Sequence, residues 1–380
     1  MLTAQTKRST LSITASVSQD LTQEECFAMN DTRSSKRFIG IDLAKDHCDV
    51  ACYDWRGKCV QEWARISYPE LFEKLAQLPP ALVLMEACNG AHDKARRIAD
   101  LGHDSRLVNA ADVKALRHGR HKNDLRDARY IAQLAFLPDV RFVRLKTSDQ
   151  QDRQLAMNEY KQIQSVRIQI GNQIHSALEQ YGIPSRESMD RLVGHLVDYL
   201  DERAEKITPT LREFVLRQLE RWKRMKQEEN EAKARIEENT KQDEVSKRLM
   251  TIPGIGCIIA NLLIVHFGDP HRFRNSGQAA ASIGLVPRQY STGGRDTLLH
   301  ISKRGPSLLR RSLVQGANTL YIRAEKLKGN LGIWVRKLKA SGKKFGVITC
   351  AIAAKLARIC WRIMRDGTEY NPNWSIEHRN

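Results

Sequence analysis

Four acidic residues in the first third of the chain combine types and spacing that suit metal-dependent chemistry. Asp42 lies in "GIDLAKDHCDV", inside a run that otherwise reads as a buried strand, where an unpaired carboxylate costs several kcal/mol. Glu86 lies near the end of the apolar run "LVLMEAC", and Asp124 and Asp127 stand three residues apart in "KNDLRDA". Carboxylates gathered in that number repel one another unless cations bind among them. Oxygen ligands favour Mg²⁺ or Mn²⁺, and two such ions about 4 Å apart can activate a nucleophile and stabilise the leaving oxygen of a phosphodiester.

Other readings compete at several of these positions. Taken singly, Asp127 reads as a surface ion-pair partner of Arg126 or Arg129, and Glu86 as an ordinary strand-end acid. Three rival carboxylates rank lower because they fall outside the expected geometry: Asp49, Asp93 and Asp112. Four residues offer zinc ligands in a spacing that does not match a zinc knuckle: His47, Cys48, Cys52 and Cys59. Free cysteine is usually a small buried apolar residue, so zinc is the weaker interpretation.

The elements that must position the carboxylates read as an α/β domain from residue 36 to 147. Three short strands in succession are predicted from "RFIGIDLA", "CDVACYD" and "CVQEWAR", where strand-like residues run or alternate at period two. A helix, the strand "ALVLMEAC", a second helix, the strand "DSRLVN" and a last helix, "LRDARYIAQLAF", follow. In the sheet that this order would form, strands one and four are neighbours, and the last helix can lay its first turn across their ends. The four carboxylates would then meet.

The composition points to a polyanionic partner. Lysine and arginine outnumber aspartate and glutamate 62 to 44, a formal net charge of +18, and basic surface attracts phosphate without any sequence information. No apolar run approaches the roughly 20 residues that cross a bilayer, so we expect no membrane partner. The eight cysteines are scattered along the chain, which favours a reducing cytoplasm. Residues 1–35 are rich in Ser, Thr and Gln and are expected to form a flexible tail.

Two helical regions are predicted beyond the α/β domain. Residues 148–246 carry charged and apolar residues at helical spacing, which predicts long, antiparallel, coiled-coil-like helices and a dimerisation region, with a simple solvated helix pair as the alternative. Residues 247–366 read as a mainly helical C-terminal domain, followed by a tail at 367–380. There, "IPGIG" resembles a helix-hairpin-helix turn. Its Gly254 and Gly256 would let backbone N–H groups approach a phosphate, or would serve only a tight turn.

A serine in the C-terminal region is a candidate nucleophile. Ser291 lies in "PRQYSTGGR", which reads as a Gly-rich loop among basic residues. The planar fork of arginine matches phosphate oxygens, and a covalent phosphoserine would conserve the energy of a broken DNA linkage for rejoining. Turn formation is the ordinary role of a serine before Gly-Gly. The basic residues expected to contact nucleic acid are Arg117, Arg120, Lys122, Arg288, Arg295, Lys303, Arg304, Arg310 and Arg311.

Six motifs in fixed order carry a resemblance to a known family. They are "FIGIDLAK", "LMEACNG", "KNDLRDA", "MTIPGIG", "GLVPRQYSTGGR" and "ISKRGPSLLRRSLVQGA", and they span roughly residues 36–325. Together they resemble the insertion-sequence 110 family of DEDD transposases, the recombinases guided by a structured bridge RNA. Because six ordered motifs agree, the resemblance is much more specific than any one of them.

The resemblance implies an N-terminal RuvC-like domain of RNase H fold, a coiled-coil region and a C-terminal transposase domain. It implies that Asp42, Glu86, Asp124 and Asp127 are the DEDD set, and that a nucleophilic serine stands at Ser291. Family members use the bridge RNA of their own element to pair with donor and target DNA. They assemble as homodimers that pair into a tetramer, in which one chain's acidic site is completed by another chain's serine.

The expected function is therefore Mg²⁺-dependent DNA cleavage and strand exchange through a phosphoserine, in the bacterial cytoplasm at the nucleoid. Many relatives have Ser-Ser before the glycines and a lysine after them. This chain departs from that pattern at Thr292 and Arg295. If the nucleophile aligns with the second hydroxyl, Thr292 holds that place. One alternative is a RuvC-like junction-resolving nuclease that hydrolyses DNA with metal-activated water. Another is a non-catalytic nucleic-acid scaffold, which the clustered acids oppose because uncompensated carboxylates repel phosphate.

Overall fold

A computed structural model describes residues 37–116, 124–137, 140, 142–292 and 295–373, with backbone only at 289–292 and 295–298. The chain divides into two compact units, one ending at Leu145 and the other beginning at Lys146. The predicted tail at 1–35 and the end of the predicted C-terminal tail, residues 374–380, lie outside the described residues. Among the helices in these ranges, none is both long and apolar enough to cross a bilayer.

The first unit is built on a six-stranded mixed sheet. Its strands are β1 (Phe38–Leu43), β2 (His47–Tyr53), β3 (Cys59–Ser67), β4 (Leu82–Glu86), β5 (Asp104–Val108) and β6 (Phe142–Val143). Their order across the sheet is β3-β2-β1-β4-β5-β6, with β1–β4 and β4–β5 parallel and the other pairs antiparallel. Antiparallel neighbours can be joined by tight turns, whereas parallel strands need longer crossovers. The predicted α/β domain with β1 beside β4 is confirmed, and β6 was not predicted.

The helices of this unit cover both faces of the sheet. They are α1 (Tyr68–Ala76), α2 (Ala91–Asp100), α3 (Ala110–Leu116) and α4 (Asp124–Gln133). Ile39 and Ile41 of β1 are fully buried on one face, in the core that α1 and α2 close. Phe38 points to the other face and packs with Ala128 and Ala132 of α4. Because side chains alternate along a strand, β1 contributes to two cores.

The second unit begins with two long helices. Its first elements are α5 (Ser148–Gln180), α6 (Met189–Leu192), α7 (Leu196–Asp201) and α8 (Pro209–Lys241). Glu159 of α5 pairs with Arg235 of α8, and Arg167 pairs with Glu229, so the two helices run antiparallel. The long helices were predicted. Coiled-coil dimerisation between chains stays a prediction, because this pairing lies within one chain.

The rest of the second unit is a helical body with one β-hairpin. Its elements are α9 (Glu244–Met250), α10 (Cys257–Phe267), α11 (Ser276–Ser282), β7 (Pro287–Thr292), β8 (Arg295–Ile301), α12 (Ser307–Ile322), α13 (Gly329–Lys339) and α14 (Phe345–Asp366). One apolar core joins these helices to Met157 of α5 and Ile236 of α8. The sequence analysis placed the start of the C-terminal domain at residue 247, which lies inside helix α9. The division of the second unit into a coiled-coil region and a C-terminal domain stays a prediction.

Candidate active site

Asp42 lies at the end of β1, on the face that α4 covers. The strand register places Asp42 directly opposite Asp49 of β2. Directly opposed residues of an antiparallel pair project from the same face of the sheet. Two aspartates therefore stand side by side at one end of the first hairpin.

Helix α4 lies against the backbone of β1 at Gly40. A Cβ added at Gly40 would overlap the carbonyl oxygen of Ala128 and the amide nitrogen of Ala132, and would lie 2.8 Å from the Cβ of Ala132. Glycine in a strand often marks such a close approach of another backbone. The first turn of α4, which begins at Asp124, is thereby held close to the sheet.

Three of the four predicted acids form one cluster. Carboxylate oxygens of Asp42, Asp124 and Asp127 all lie within 4.8 Å of one another, and Asp127 is only 1% exposed. Ligands on opposite sides of one ion, at bond lengths of about 2.1–2.4 Å, stand roughly 4–5 Å apart. Three carboxylates held this close repel one another unless a cation binds. The all-oxygen donor set fits Mg²⁺ or Mn²⁺.

Glu86 ends the neighbouring strand β4, one residue beyond Met85, which pairs with Ile41. Among the described residues it is not one of the acids gathered within 4.8 Å. Its charge acts at the same strand ends, however. Burial raises the pKa of the Cys88 thiol, and the carboxylates of Glu86 and then Asp42 raise it further. Glu86 therefore lies at the rim of the cluster.

Two residues that the sequence analysis ranked low lie at the same place. A ring nitrogen of His47 and carboxylate oxygens of Asp49 and Asp124 also lie within 4.8 Å of one another. Asp49 is 3% exposed, and its Oδ1 accepts a hydrogen bond from the Arg65 backbone N–H at 3.2 Å. Placing Asp49 outside the geometry was wrong, because hairpin pairing sets it opposite Asp42. His47 and Asp49 alternate along the strand that follows the tight turn after β1. That alternation is the sequence signal that could have placed both side chains beside Asp42.

The cysteines of β2 and β3 do not join this cluster. Cys48 and Cys52 project to the opposite face, into the apolar core, and burial raises the pKa of each thiol to about 12. Cys59 donates to the Glu62 carboxylate at 3.3 Å. Zinc binds thiolates, and burial in the apolar core disfavours that charged form. His47 therefore does not share a metal site with them.

Two acids and one arginine that the sequence analysis considered, Asp93, Asp112 and Arg129, have other roles in the first unit. Asp93 and Asp112 stand in the first turns of α2 and α3, and neither belongs to a ligand cluster of the described residues. Arg129, considered above as a partner of Asp127, donates to Glu62 of β3 at 2.7 Å. This contact lowers the pKa of the Glu62 carboxyl. Arg129 thus ties α4 to the outer strand.

Ser291 lies in a β-hairpin, whereas the sequence predicted an open loop. Strands β7 and β8 pair antiparallel, with Ser291 opposite Asp296 and Thr292 opposite Arg295. The loop prediction was wrong because the segments on both sides of Gly-Gly pair with each other as two strands, as in other hairpins. Ser291 and Thr292 are consecutive positions at the end of a strand that main-chain hydrogen bonds hold.

The base of this hairpin rests on a close backbone contact. Gly284 and Gly305 have φ of 79° and 98°, and a Cβ on Gly284 would overlap the backbone of Arg304. Lys303 has φ of 55°, a conformation that costs a residue with a Cβ about 1 kcal/mol or more. Arg310, predicted to contact nucleic acid, donates to the Gly305 carbonyl at 3.5 Å and to a second carbonyl at 3.1 Å. It therefore fastens α12 to the base of the hairpin.

The other residues predicted to bind nucleic acid fall into two groups. Four have exposed side chains: Arg288, Lys303, Arg304 and Arg311. Of the rest, Arg117, Arg120 and Lys122 lie outside the described residues, as does the side chain of Arg295.

The two glycines of "IPGIG" differ in their surroundings. Gly254 has φ of 84°, and a Cβ there would lie 3.1 Å from the Gly316 carbonyl oxygen and 3.1 Å from Cγ of Leu320. Packing against α12 is thus sufficient reason for glycine at this position. Gly256 is the N-cap of α10, and a Cβ there would meet no atom within 4 Å. Of the two, Gly256 is open to a ligand.

Comparison with known proteins gives a consistent result over both units. A family model described as "Transposase IS116/IS110/IS902 family" matches residues 246–330, and a DEDD model described as "Transposase" matches residues 39–183. The chain is 36% identical over 336 residues to the transposase for insertion sequence element IS1328 of Yersinia enterocolitica, covering 88% of this chain and 98% of that protein. It is 31% identical over 332 residues to the transposase for insertion sequence element IS1111A of Coxiella burnetii, covering 86% and 89%. With such similarity over most of its length, the chain belongs to the IS116/IS110/IS902 family of insertion-sequence transposases.

Proposed function

We propose that the chain is a DNA recombinase of an insertion sequence and that it cleaves and exchanges strands at its acidic cluster, with Mg²⁺ or Mn²⁺ as cofactor. The observation that carries this proposal is the gathering of Asp42, Asp124 and Asp127 within 4.8 Å. The sheet order, three antiparallel strands followed by two parallel ones, supports an RNase H-like domain of the RuvC type. Relatives named as transposases of insertion sequences support DNA as the substrate.

The acidic cluster suits phosphodiester cleavage because of its charge. In the proposal, Asp42, Asp124 and Asp127 hold the cations, and Glu86 at the rim is the fourth DEDD ligand. Bound there, Mg²⁺ would supply Lewis acidity toward the scissile phosphate and the leaving oxygen. Without cations the same carboxylates would repel the DNA backbone, so DNA binding at this site depends on metal.

Ser291 is the proposed nucleophile. Its Oγ attacks the scissile phosphorus, the bond from phosphorus to the leaving strand breaks, and the proton lost by the serine ends on the leaving oxygen. The phosphoserine ester is then attacked by the hydroxyl of the partner strand, which rejoins DNA and releases the serine, so no external energy is needed. The exposed side chains of Arg288, Lys303 and Arg304 support phosphate binding near this hairpin. Thr292 is the alternative nucleophile, although its methyl group crowds the attack.

The proposed partners are donor DNA, target DNA and a bridge RNA that pairs with both. The formal charge of +18 supports binding of several nucleic-acid strands. We place this activity in the bacterial cytoplasm, at the nucleoid. The working assembly is a homodimer, held through the region of α5 and α8, that pairs into a tetramer. In that tetramer another chain supplies Ser291 to the acidic cluster.

A single gel tests the proposal. The purified full-length chain is mixed with its element's flanking RNA, labelled DNA that carries the element junction, and Mg²⁺, and the mixture is denatured. We expect a labelled band of protein size that is lost in Ser291→Ala and in Asp42→Asn and kept in Thr292→Ala. Omitting the RNA should remove the same band, and EDTA should remove it as well.

Two other outcomes would reject the serine mechanism. Because the acidic cluster is complete within the first unit, a junction-resolving nuclease that hydrolyses DNA with metal-activated water is the second candidate. It would give cleaved DNA without a covalent band. A chain that binds both nucleic acids but gives neither product would be a non-catalytic scaffold or an inactive transposase.

A further inference from the structure

A lysine lies near the ends of the strands that carry the acidic residues. Lys94 stands near the start of α2, whose apolar residues pack on the face of the sheet opposite α4. Its ammonium nitrogen lies 4.2 Å from the centroid of the Tyr68 ring, at the start of α1. Helical side chains lean toward the N-terminus of their helix, and a Cβ added at Gly90 would lie 3.0 Å from the same nitrogen. The ammonium therefore lies against the exposed loop that follows Glu86.

The Tyr68 side chain connects this lysine to the end of β1. The Tyr68 hydroxyl donates a hydrogen bond to the backbone carbonyl of Ala44, and Ala44 follows Asp42 by two positions. The ring that supports the ammonium is thus fixed to the turn beyond β1. Lys94 therefore lies between the two segments that directly follow Asp42 and Glu86, two acids of the proposed catalytic set.

The charges that act on a neighbouring thiol agree with this position. Burial raises the pKa of the Cys88 thiol, the carboxylates of Glu86 and Asp42 raise it further, and the ammonium of Lys94 lowers it. Cys88 lies on the exposed loop between β4 and α2. The acidic residues and the ammonium therefore act at the same edge of the sheet, with opposite sign.

Contacts within the chain do not account for the charge of Lys94. Among the described residues Lys94 has no ion-pair partner, and the acid of its own helical turn, Asp93, pairs with Arg96 at 4.0 Å. An ammonium at the N-terminal end of a helix is also disfavoured by the helix dipole. The ring contact with Tyr68 offsets part of this cost. A positive charge in this position is therefore better matched by a bound anion than by the protein itself.

We propose that Lys94 binds a backbone phosphate of the DNA strand whose scissile phosphate lies at the acidic cluster, and that the Tyr68 ring positions the ammonium for this contact. The inference rests on the proposed function, since it requires DNA at that cluster. A strand held there carries further phosphates on each side of the one that is cut, and carboxylates repel them. A lysine at the same edge supplies the positive charge that a neighbouring phosphate requires.

Binding of element-junction DNA by the full-length chain tests this role. All proteins carry Ser291→Ala, so that serine attack does not consume the DNA, and fluorescence anisotropy is measured with flanking RNA and Mg²⁺ present. Lys94→Gln should weaken binding by about five- to tenfold, and the slope of log affinity against log salt concentration should become shallower by about one, as for the loss of one phosphate contact. Lys94→Arg should keep the wild-type slope, because the charge remains.

Lys74→Gln is the matched control, because it makes the same chemical change at a second lysine that lies on a ring. The Lys74 ammonium is 5.5 Å from the centroid of the Trp63 ring and 3.4 Å from the Glu70 carboxylate. Since this charge already has a partner, affinity should change by less than about twofold, with an unchanged salt slope.

Neutralising the DNA instead of the protein locates the contact without any change to the fold. Single methylphosphonate linkages, which carry no charge, are placed at each position of the junction in turn. At one linkage near the cleavage position, the loss of charge should weaken binding about fivefold when Lys94 is present and less than about twofold in Lys94→Gln.

Three results would overturn the proposal. Equal losses in Lys94→Gln and Lys74→Gln would mean that only general charge was lost. An unchanged salt slope in Lys94→Gln would mean that Lys94 acts through the fold, and a set of linkages that all behave alike in both proteins would mean that Lys94 contacts none of them. The proposed function is judged separately, by the covalent DNA band of the chain with Ser291 intact. That band can form while Lys94 makes no contact, and Lys94 can bind DNA in a chain that forms no band.

Discussion

The close approach of β1 and α4 makes Gly40→Ala a direct test of how the acidic cluster is positioned. In an otherwise open strand, exchanging glycine for alanine is favourable by roughly 0.5–1 kcal/mol. Here the new methyl group would overlap backbone atoms of Ala128 and Ala132, which cannot move aside as a flexible side chain can. Overpacking of this kind costs about 1–3 kcal/mol. Because the overlap is with backbone, we expect the upper end of that range and a net loss of about 2 kcal/mol.

Hydrogen exchange followed by mass spectrometry measures this loss where it occurs. Amides of α4 should exchange with an opening free energy lower by about 2 kcal/mol in Gly40→Ala. Mg²⁺ affinity should fall as well, because Asp124 and Asp127 move away from Asp42. Gly346→Ala is the control, since a Cβ there meets no atom within 4 Å. If Gly40→Ala exchanges within about 0.5 kcal/mol of wild type and binds Mg²⁺ equally well, the contact at Gly40 does not position the cluster.

Three further outcomes are expected from the contacts of the second unit. Arg310→Ala, which loses two charged hydrogen bonds to carbonyls, should lower stability in thermal unfolding by about 2 kcal/mol. The exposed Arg311→Ala should change it by less than about 0.5 kcal/mol; equal effects would refute the fastening role of Arg310. Glu229→Gln removes the nearer of the two carboxylates that pair with Arg167, the other being Asp190 at 3.6 Å, and should cost roughly 2 kcal/mol in urea unfolding; a loss below about 0.5 kcal/mol would show that the pair is effectively solvated. Burial lowers the pKa of His266 to about 4, so between pH 6.5 and 4 the unfolded chain binds more protons than the folded chain. The free energy of unfolding should therefore fall as pH drops through that window, by on the order of 2–3 kcal/mol. His266→Gln should flatten this part of the stability profile, and an unchanged slope would assign it to other groups.

Local sequence patterns were sufficient for most of the elements. The strand-like run before Lys45 placed β1, period-two alternation placed β2, and Gly102 and the helical spacing before it placed α2. Thr147 and Gln150 form a reciprocal capping box at the start of α5, and such caps depend on residues three positions apart. The neighbouring positions of β1 and β4 followed from the order of strands and helices alone.

The long-range contacts were not readable in the same way. Gly254 packs against Gly316, sixty-two positions further along the chain, so its role in packing could not be distinguished from phosphate binding by local pattern. Arg310 looked like any other basic residue until its carbonyl partners were in place. Ser291 was assigned to a loop because strand pairing across Gly-Gly is a property of two segments together.

The sequence by itself determined most of the elements, the family motifs and three of the clustered acids, because the periods of strands and helices and the spacing of motifs are local properties. Tertiary structure alone decided which side chains share the site. Hairpin register brought His47 and Asp49 beside Asp124, while Glu86 was left at the rim. The physical reason is that a metal site depends on distances of a few ångströms between atoms of different elements. Those distances are set by backbone pairing and by the packing of α4 on Gly40, which no single segment encodes.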